Sequence, residues 1–134
     1  MPAIVMTKQT ARPKTAQAQR EAIYIMQAEI CRVLGHPRRI QILDLLAGGE
    51  KSTTQLLGAL GVGKVNLSQH MALLKRAGLV ETRHQGRTTS CRLTFTEVTD
   101  ACRLIREVLA ARLRRGTRLA RSLGKNAAAQ TFAR

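Results

Sequence analysis

The sequence has few acidic residues for its size. Its 134 residues include 8 Asp or Glu against 23 Lys or Arg, so the formal net charge is +15 at pH 7. A chain with this excess of positive charge is attracted to polyanions. We therefore expect a nucleic acid as partner, with double-stranded DNA ranked first, RNA second and an anionic membrane surface third.

The sequence also lacks a long apolar run. It has no stretch of about eighteen consecutive apolar residues, which argues against a membrane-spanning helix. Met1 is not followed by the charged start, apolar run and small-residue cleavage site of a secretory signal. We therefore expect a cytoplasmic protein that does not bind membranes.

The length of the chain leaves little room for a separate ligand-binding domain, so any sensor must be built into the one fold. Both ends are basic, because four basic residues and no acid precede Glu21, and seven basic residues and no acid follow Glu107. We expect residues 1–20 to form a basic arm and residues 116–134 to form a basic tail, both largely disordered or frayed helix. Residues 21–115 are expected to form the folded domain.

Apolar spacing predicts three helices before residue 61. The first ends before Gly35, the second begins at Pro37, and the third opens with Ser52 and Gln55 in the pattern of a capping box. The second is apolar nearly all round, which predicts a buried central helix. Their apolar residues are Ala22, Ile23, Met26, Ile30, Val33 and Leu34, then Ile40, Ile42, Leu43, Leu45 and Leu46, then Leu56, Leu57 and Leu60.

A fourth helix is predicted from about Lys64 to Ala77. Leu67, Met71 and Leu74 repeat at helical spacing, so their side must be buried and the opposite side faces solvent. The outer side is rich in hydrogen-bond donors and poor in carboxylates. Asn and Gln can pair with adenine, Lys can approach guanine, and Ser can contact a base or a phosphate. A polar face of this kind also fits an ordinary solvated helix.

A hairpin with a basic turn follows this helix. Leu79–Arg83 and Thr88–Leu93 have the composition of strands and flank the turn His84-Gln85-Gly86-Arg87. Gly86 can adopt the positive φ that a tight turn requires. Arg83 and Arg87 bracket the turn, and the nearest acid along this stretch is Glu81. Such a turn can contact phosphates or enter a minor groove.

The predicted DNA-binding residues come from the fourth helix and the hairpin. For the histidine among them, the sequence leaves open a hydrogen bond that positions the helix or a phosphate contact. The residues are Lys64, Val65, Asn66, Ser68, Gln69, His70, Lys75, Arg83 and Arg87.

The order helix, glycine, strand, basic turn, strand resembles a winged helix-turn-helix. Several linked motifs resemble the ArsR/SmtB family of transcriptional regulators over about Ala28 to Leu113. The resemblance implies a mainly α fold with a small β-hairpin, in the order α-α-α-α-β-β-α, and a sequence-specific repressor rather than an enzyme. The motifs are Leu34-Gly35-His36-Pro37-Arg38-Arg39-Ile40-Gln41-Ile42-Leu43, Gly61-Val62, Leu67-Ser68-Gln69-His70-Met71 and Lys75-Arg76-Ala77-Gly78-Leu79-Val80.

A last helix is predicted after the hairpin, opened by Thr94 and Glu97 as a second capping box. One of its faces is apolar and needs a partner; its residues are Val98, Cys102, Ile105 and Leu109. The resemblance implies that the first and last helices bury such faces in a homodimer. Two recognition helices then enter successive major grooves about 34 Å apart, and the operator is an imperfect palindrome.

Members of this family commonly release DNA when an inducer binds, but the best-known inducer sites are absent here. The third helix, Lys51 to Leu60, contains no cysteine, and the segment Thr96 to Leu113 contains no histidine. The remaining candidates for an inducer or metal site are Cys31, Cys91 and Cys102. Their odd number argues against structural disulfides in a cytoplasmic protein, and each also fits a small buried apolar side chain.

The resemblance places Cys31 and Cys102 on the two helices that mate, where Arg32 and Arg103 can favour the thiolate. Two thiolates can form a disulfide or polysulfide bridge, and with Cys91 they can bind As(III) or another soft metal ion. No cofactor is otherwise expected. The alternative to an inducible repressor is a non-specific protein that coats nucleic acid and whose cysteines are purely structural.

Overall fold

The computed structural model describes residues 15–121, without the side chains of residues 118–120. This part of the chain is mainly helical and has a small antiparallel sheet, which confirms the predicted fold class. One compact unit ends at Val98 and a second begins at Thr99. The elements are α1 (Ala16–Val33), α2 (Pro37–Leu46), β1 (Lys51–Ser52), α3 (Thr53–Leu60), α4 (Lys64–Arg76), β2 (Val80–Gln85), β3 (Thr88–Leu93) and α5 (Glu97–Ala120).

The first helix begins earlier than the sequence predicted. The Thr15 hydroxyl accepts a hydrogen bond from the Ala18 amide at 3.0 Å and caps α1. Residues 16–20 are therefore helical and belong to α1, because Ala, Gln and Arg are good helix formers behind such a cap. At the other end, α5 continues past residue 115 to Ala120. The remainder of both predicted tails, residues 1–14 and 122–134, lies outside the described residues.

Local sequence signals fix the ends of the central helices. His36 is the N-cap of α2, with its side chain accepting from the Arg38 amide and Pro37 in the first helical position. Ser52 and Gln55 form both hydrogen bonds of the capping box that opens α3, as predicted. Gly61 ends α3 with φ +66°, a left-handed conformation that favours glycine.

The second predicted capping box is wrong. Helix α5 begins at Glu97, so Thr96 rather than Thr94 occupies the position before the first helical residue. The Thr94 amide donates to the Leu79 carbonyl at 2.9 Å, at the base of the hairpin. The Thr94 backbone is therefore bonded to the hairpin and does not begin the helix.

The sheet has three strands in the order β1-β3-β2, whereas only the hairpin was predicted. Strand β1 pairs with β3 through Lys51 opposite Cys91 and Ser52 opposite Ser90. With two residues, β1 is too short to show an alternating pattern in the sequence. The hairpin register runs from Val80 opposite Leu93 to Gln85 opposite Thr88, and Gly86 in the turn has φ +63°.

The core lies between α2, α3, the inner side of α4 and the sheet. Leu67, Met71 and Leu74 of α4 are buried, which confirms its predicted inner side. The other buried apolar residues are Ile42, Leu43, Leu46, Leu56, Leu60, Leu79, Val80, Cys91 and Val98. Large apolar side chains of α1 and α5 are exposed, including Ile23, Met26, Ile105 and Leu109. Among residues 15–121, no helix is long and apolar enough to span a membrane.

We expect Leu74→Ala to lower the free energy of unfolding by about 2–5 kcal/mol, because it leaves a cavity at a fully buried position of α4. Val65→Ala is the matched control on the same helix. Val65 is 72% exposed, so its truncation changes stability by about 0.5 kcal/mol or less. Urea unfolding followed by circular dichroism measures both values. Equal losses in the two variants would contradict the assignment of the inner side.

Candidate nucleic-acid interface

The outward side of α4 forms a shallow surface opposite its buried stripe. The depression on this surface has a volume of about 440 Å³ and is lined by Lys64, Val65, Ser68, Gln69 and Ala72. Four of the five are residues that the sequence predicted to contact DNA. The surface therefore combines donors and an acceptor with two small or branched apolar side chains, as direct contact with base edges requires.

Asn66 is exposed, but it does not line this surface. Helical residues are spaced by about 100°, so Asn66 is turned by roughly that angle from its neighbour Val65. It lies on one flank of α4, and Lys64 and Lys75 lie on the opposite flank. Among the predicted residues of the outer side, Asn66 is therefore the least directly placed for contact with a base.

A groove separates α4 from the hairpin. It encloses about 230 Å³, with Lys64, Ser68 and Lys75 among its α4 residues. The hairpin contributes Thr82, His84 and Thr89, and the His84 Nδ1 and Thr89 Oγ1 atoms are 3.0 Å apart. Two ammonium groups, an imidazole and several hydroxyls on one groove can receive a phosphate.

The part of the groove formed by Thr82 and Thr89 was not predicted from the sequence. Side chains alternate between the two faces of a strand, so Val80 shares a face with Thr82, and Cys91 shares a face with Thr89. Val80 and Cys91 are both buried in the core below α4. Their apolar character was the available signal that Thr82 and Thr89 face the helix.

The charge at the hairpin differs from the sequence expectation. Arg83 does not act as an isolated cation, because its guanidinium pairs with Glu50 at 3.0 Å. On the same sheet, Arg92 pairs with Glu81 at 2.9 Å. Among the described residues, the exposed Arg87 has no ion-pair partner. Arg87 therefore supplies the uncompensated positive charge at the turn.

The region that contains α3 and α4 carries no negative charge, because no Asp or Glu lies between Glu50 and Glu81. Helix α4 has no side-chain cap at its N-terminus, and Lys75 and Arg76 lie in its last turn. Amide groups at a helix start attract anions, and cations at a helix end interact favourably with the helix dipole. Both ends of α4 thus favour a polyanion.

His70 belongs to the interior and not to the outward surface of α4. It is 9% exposed, and its Nδ1 lies 3.3 Å from Nη1 of Arg39. Its ring centre lies 4.5 Å from that of His36. A buried ring cannot reach a phosphate, so of the two roles left open by the sequence, the hydrogen bond that positions the helix agrees with the structure.

The three cysteines differ in their surroundings, and none forms a disulfide. Cys91 is 2% exposed, and burial raises the pKa of its thiol, which disfavours the reactive thiolate. Cys31 is exposed and Cys102 is half-buried. Cys91 is therefore the least suited of the three to meet a reagent from solution.

The arginines expected to activate Cys31 and Cys102 are engaged elsewhere. Arg32 pairs with Glu29. Arg103 pairs with Glu107 at 2.9 Å and with Asp100 at 3.7 Å. These carboxylates offset the positive charge that was expected to favour a thiolate.

A soft-metal site built from all three cysteines is not formed within one chain. In residues 15–121, no three His, Cys, Asp or Glu side chains lie close enough together to hold a metal ion. Cys91 lies on β3 and is enclosed by the core, which keeps its thiol from joining the thiols of Cys31 and Cys102. The donor set of the single chain therefore does not fit As(III) or a soft metal ion bound by three thiolates.

Comparison with known proteins agrees with this architecture. The family model of the bacterial regulatory proteins of the arsR family matches residues 36–82. This range contains α2, α3, α4 and the start of β2. The match thus covers the helix-turn-helix and the outward side of α4.

One relative shares both sequence and fold with this chain. The chain is 35% identical over 91 residues to the HTH-type transcriptional regulator Rv0081 of Mycobacterium tuberculosis, covering 67% of this chain and 80% of that protein. The crystal structure of Rv0081 matches with a TM-score of 0.63 at 34% identity over 69% of this chain and 93% of that chain.

The solution structure of the homodimeric winged helix-turn-helix DNA-binding domain Mb0332 from Mycobacterium bovis matches with a TM-score of 0.65 at 28% identity. It covers 80% of this chain and 95% of that one. The biofilm growth-associated repressor of Xylella fastidiosa is 36% identical over 67 residues, which are 50% of this chain and 59% of that protein.

The Mycobacterium tuberculosis relative is similar over most of its own length, and the matched family range contains the outward side of α4. These relatives are regulators of transcription and not enzymes. The chain therefore belongs to the ArsR family, as a winged helix-turn-helix transcriptional regulator.

Proposed function

We propose that the protein is a homodimeric, sequence-specific DNA-binding repressor whose release from the operator is triggered at cysteine thiols. The observation that carries this proposal is the outward side of α4, where Lys64, Ser68 and Gln69 share one surface within an acid-free region. The groove between α4 and the hairpin adds further cationic groups. Arg87 adds another at the turn of the hairpin. This arrangement suits a helix in the major groove and a wing on the phosphate backbone.

The side chains divide into base contacts and phosphate contacts. Gln69 is suited to adenine, Lys64 to guanine, Ser68 to either a base or a phosphate, and Val65 to the methyl group of thymine. Phosphate contacts come from Lys75, Thr82 and Thr89 in the groove and from Arg87 at the turn. Arg83 is assigned a lesser part because Glu50 already offsets its charge.

Exposed apolar side chains on two helices support the homodimer. On α1, Ile23 is 59% exposed and Met26 is 51% exposed; on α5, Ile105 is 59% exposed. Exposed large apolar side chains such as these are typical of interfaces between subunits. A second copy of the chain is the proposed occupant, since the Mycobacterium bovis relative is described as homodimeric. A two-fold dimer implies an imperfect palindromic operator.

Repression and thiol-based release complete the proposal. Repression is supported by the Xylella fastidiosa relative, which is named a repressor. Release is assigned to Cys31 and Cys102, because both are more accessible than Cys91. An oxidant can remove two electrons and two protons from two thiols to form a disulfide, and sulfane sulfur can form a polysulfide bridge. A regulator bound to the bacterial chromosome acts in the cytoplasm.

The alternative function is a non-specific coat on nucleic acid. It is supported by the net charge of +15 and by the exposed arginines near the end of α5: Arg112, Arg114 and Arg115. Such a protein binds all duplexes through phosphates alone.

One experiment separates the two functions. The chain is used to select duplexes from a random pool, and the anisotropy of the selected duplex is compared with that of a scrambled duplex at several salt concentrations. A specific regulator binds the selected sequence about 10³-fold or more tightly at physiological salt. Equal affinities with the same salt slope would favour the coating protein. Transcription in vitro from a promoter that carries the selected site then tests repression.

We expect Gln69→Ala to relax the preference for the selected base at one position of each half-site, at a cost of about 1–3 kcal/mol of discrimination. Gln41→Ala is the control, because Gln41 is an exposed glutamine of α2 whose amide oxygen accepts from Arg38. Binding to duplexes with each single base change measures the preference. Unchanged discrimination in Gln69→Ala would remove Gln69 from the base-reading surface.

We expect Arg87→Ala to weaken binding to selected and scrambled duplexes alike. The slope of log affinity against log salt should fall by about one for each wing that loses a phosphate contact. Arg83→Ala is the matched control on the same hairpin and should lower the slope less, because Arg83 pairs with Glu50. A larger effect of Arg83→Ala would contradict the assignment of the free charge to Arg87.

We expect Cys31→Ser and Cys102→Ser each to abolish release by peroxide or a persulfide donor while leaving operator affinity unchanged. Cys91→Ala should respond as the natural protein does, because Cys91 is enclosed by the core. Anisotropy follows release, intact mass identifies the adduct or bridge, and arsenite is titrated in parallel. Full release in either serine variant would exclude the Cys31 and Cys102 pair.

A further inference from the structure

A single guanidinium joins the end of α1 to the recognition helix. Arg39, in the first turn of α2, donates from Nε to the carbonyl oxygen of Val33, the last residue of α1. The same side chain lies with Nη1 3.3 Å from Nδ1 of His70, in the middle of α4. Two helices that are far apart in the sequence are thus held by one rigid, planar group.

The His70 ring is held from a second side by His36. The two ring centres are 4.5 Å apart with an interplanar angle of 47°. His36 is itself fixed, because its Nδ1 accepts from the Arg38 amide as the N-cap of α2. Arg38 in turn donates from Nη1 to the Leu60 carbonyl at the end of α3. The contacts around His70 therefore connect α1, α2, α3 and α4.

The direction of the hydrogen bond fixes the state of the His70 ring. An arginine can only donate, so Nδ1 of His70 must be an acceptor and the proton of the neutral ring must be on Nε2. The charged or titratable groups that face the ring are His36, Arg39 and Arg38 of the α2 segment. Burial, reinforced by these groups, lowers the pKa of His70 below its ordinary value of 6.5. A proton on Nδ1 would replace the hydrogen bond by repulsion from Arg39.

The position of His70 on α4 connects this bond to DNA recognition. Gln69 is adjacent to His70 and lies on the outward surface. The apolar residues Leu67, Met71 and Leu74 hold α4 against the core, but apolar contacts are non-directional. The bond to Arg39 is directional, so it can fix the rotation of α4 and the place of Gln69.

We infer that Arg39 and His70 are positioning residues for operator recognition, acting as a latch that fixes α4 against the end of α1. The latch consists of the Val33 carbonyl, Arg39, His70 and His36. It rests on the proposed function, since its effect is measured on the choice between operator and scrambled duplex. It makes no contact with DNA itself.

The test measures the ratio of affinities for the selected and scrambled duplexes. Lys has one donor group and cannot reproduce the two-sided contact of Arg39, so Arg39→Lys should lower the ratio about tenfold, as expected for one lost bond to a charged group. Arg32→Lys is the matched control, because Arg32 lies beside the same helix end but pairs with Glu29. Circular dichroism and thermal unfolding show that both variants are folded.

The pH profile adds a readout that a merely structural role would not change. The folded protein disfavours protonated His70, so acid works against the latch only below the ordinary pKa of histidine. The natural ratio should stay constant from about pH 7.5 down to 6.5 and fall at lower pH. His70→Asn keeps an acceptor for Arg39 and does not titrate, so its ratio should be retained and independent of pH. His70→Leu has no acceptor for Arg39, so its ratio of affinities for the selected and scrambled duplexes should be lowered at every pH.

The outcomes distinguish the latch from the proposed function. A natural protein without preference for any duplex would overturn the proposed function and, with it, the role of the latch in recognition. If Arg39→Lys kept the natural ratio of affinities and the natural dependence of that ratio on pH, the latch alone would be overturned. Nitrogen NMR of the histidine rings tests the natural protein without any substitution: a proton on Nδ1 of His70 at pH 7 would also overturn the latch.

Discussion

The burial of three apolar side chains of α4 decides which residues this helix can offer to DNA. Leu67, Met71 and Leu74 are each turned into the core, and their close packing sets which side of the helix is buried. Because successive residues are turned by about 100°, the opposite side is then determined. Val65 and Gln69 face outward, Lys75 faces the hairpin, and Lys64, Ser68 and Ala72 border both surfaces.

The distribution of charged residues determines which parts of the outward surface of α4 and of the hairpin are positive. The absence of acids from residues 51–80 leaves the cations of α4 uncompensated, whereas Glu50 and Glu81 each hold an arginine of the sheet. Positive charge is thus concentrated in the groove between α4 and the hairpin and at Arg87. A polyanion that follows α4 and the groove meets these groups together.

The polar contacts of His70 and Arg39 complement the apolar anchoring. They join the helix ends of the same compact unit through directional bonds in a site of low exposure. Val33 lies two residues after Cys31, so the proposed latch and the proposed thiol site meet at the end of α1. Arg39 contacts both the end of α1 and the recognition helix, so a rearrangement at the end of α1 would be transmitted directly to α4.

Much of this arrangement could be predicted from local patterns in the sequence. The spacing of Leu67, Met71 and Leu74 predicted the buried side of α4, and Ser52 with Gln55 predicted the start of α3. These signals act over a few residues. The contacts that were missed join distant positions: His70 to Arg39, Arg83 to Glu50, and Lys51 to Cys91. Such pairs depend on how elements pack, which no local period records.

Hydroxyl-radical and methylation footprinting of the selected operator tests the central claim most directly, because it shows where the outward side of α4 lies on DNA. The account predicts two protected major-groove segments, separated by about one helical turn and related by the pseudo-palindrome. Protection spread evenly along the duplex, or confined to a single half-site at saturating protein, would contradict it.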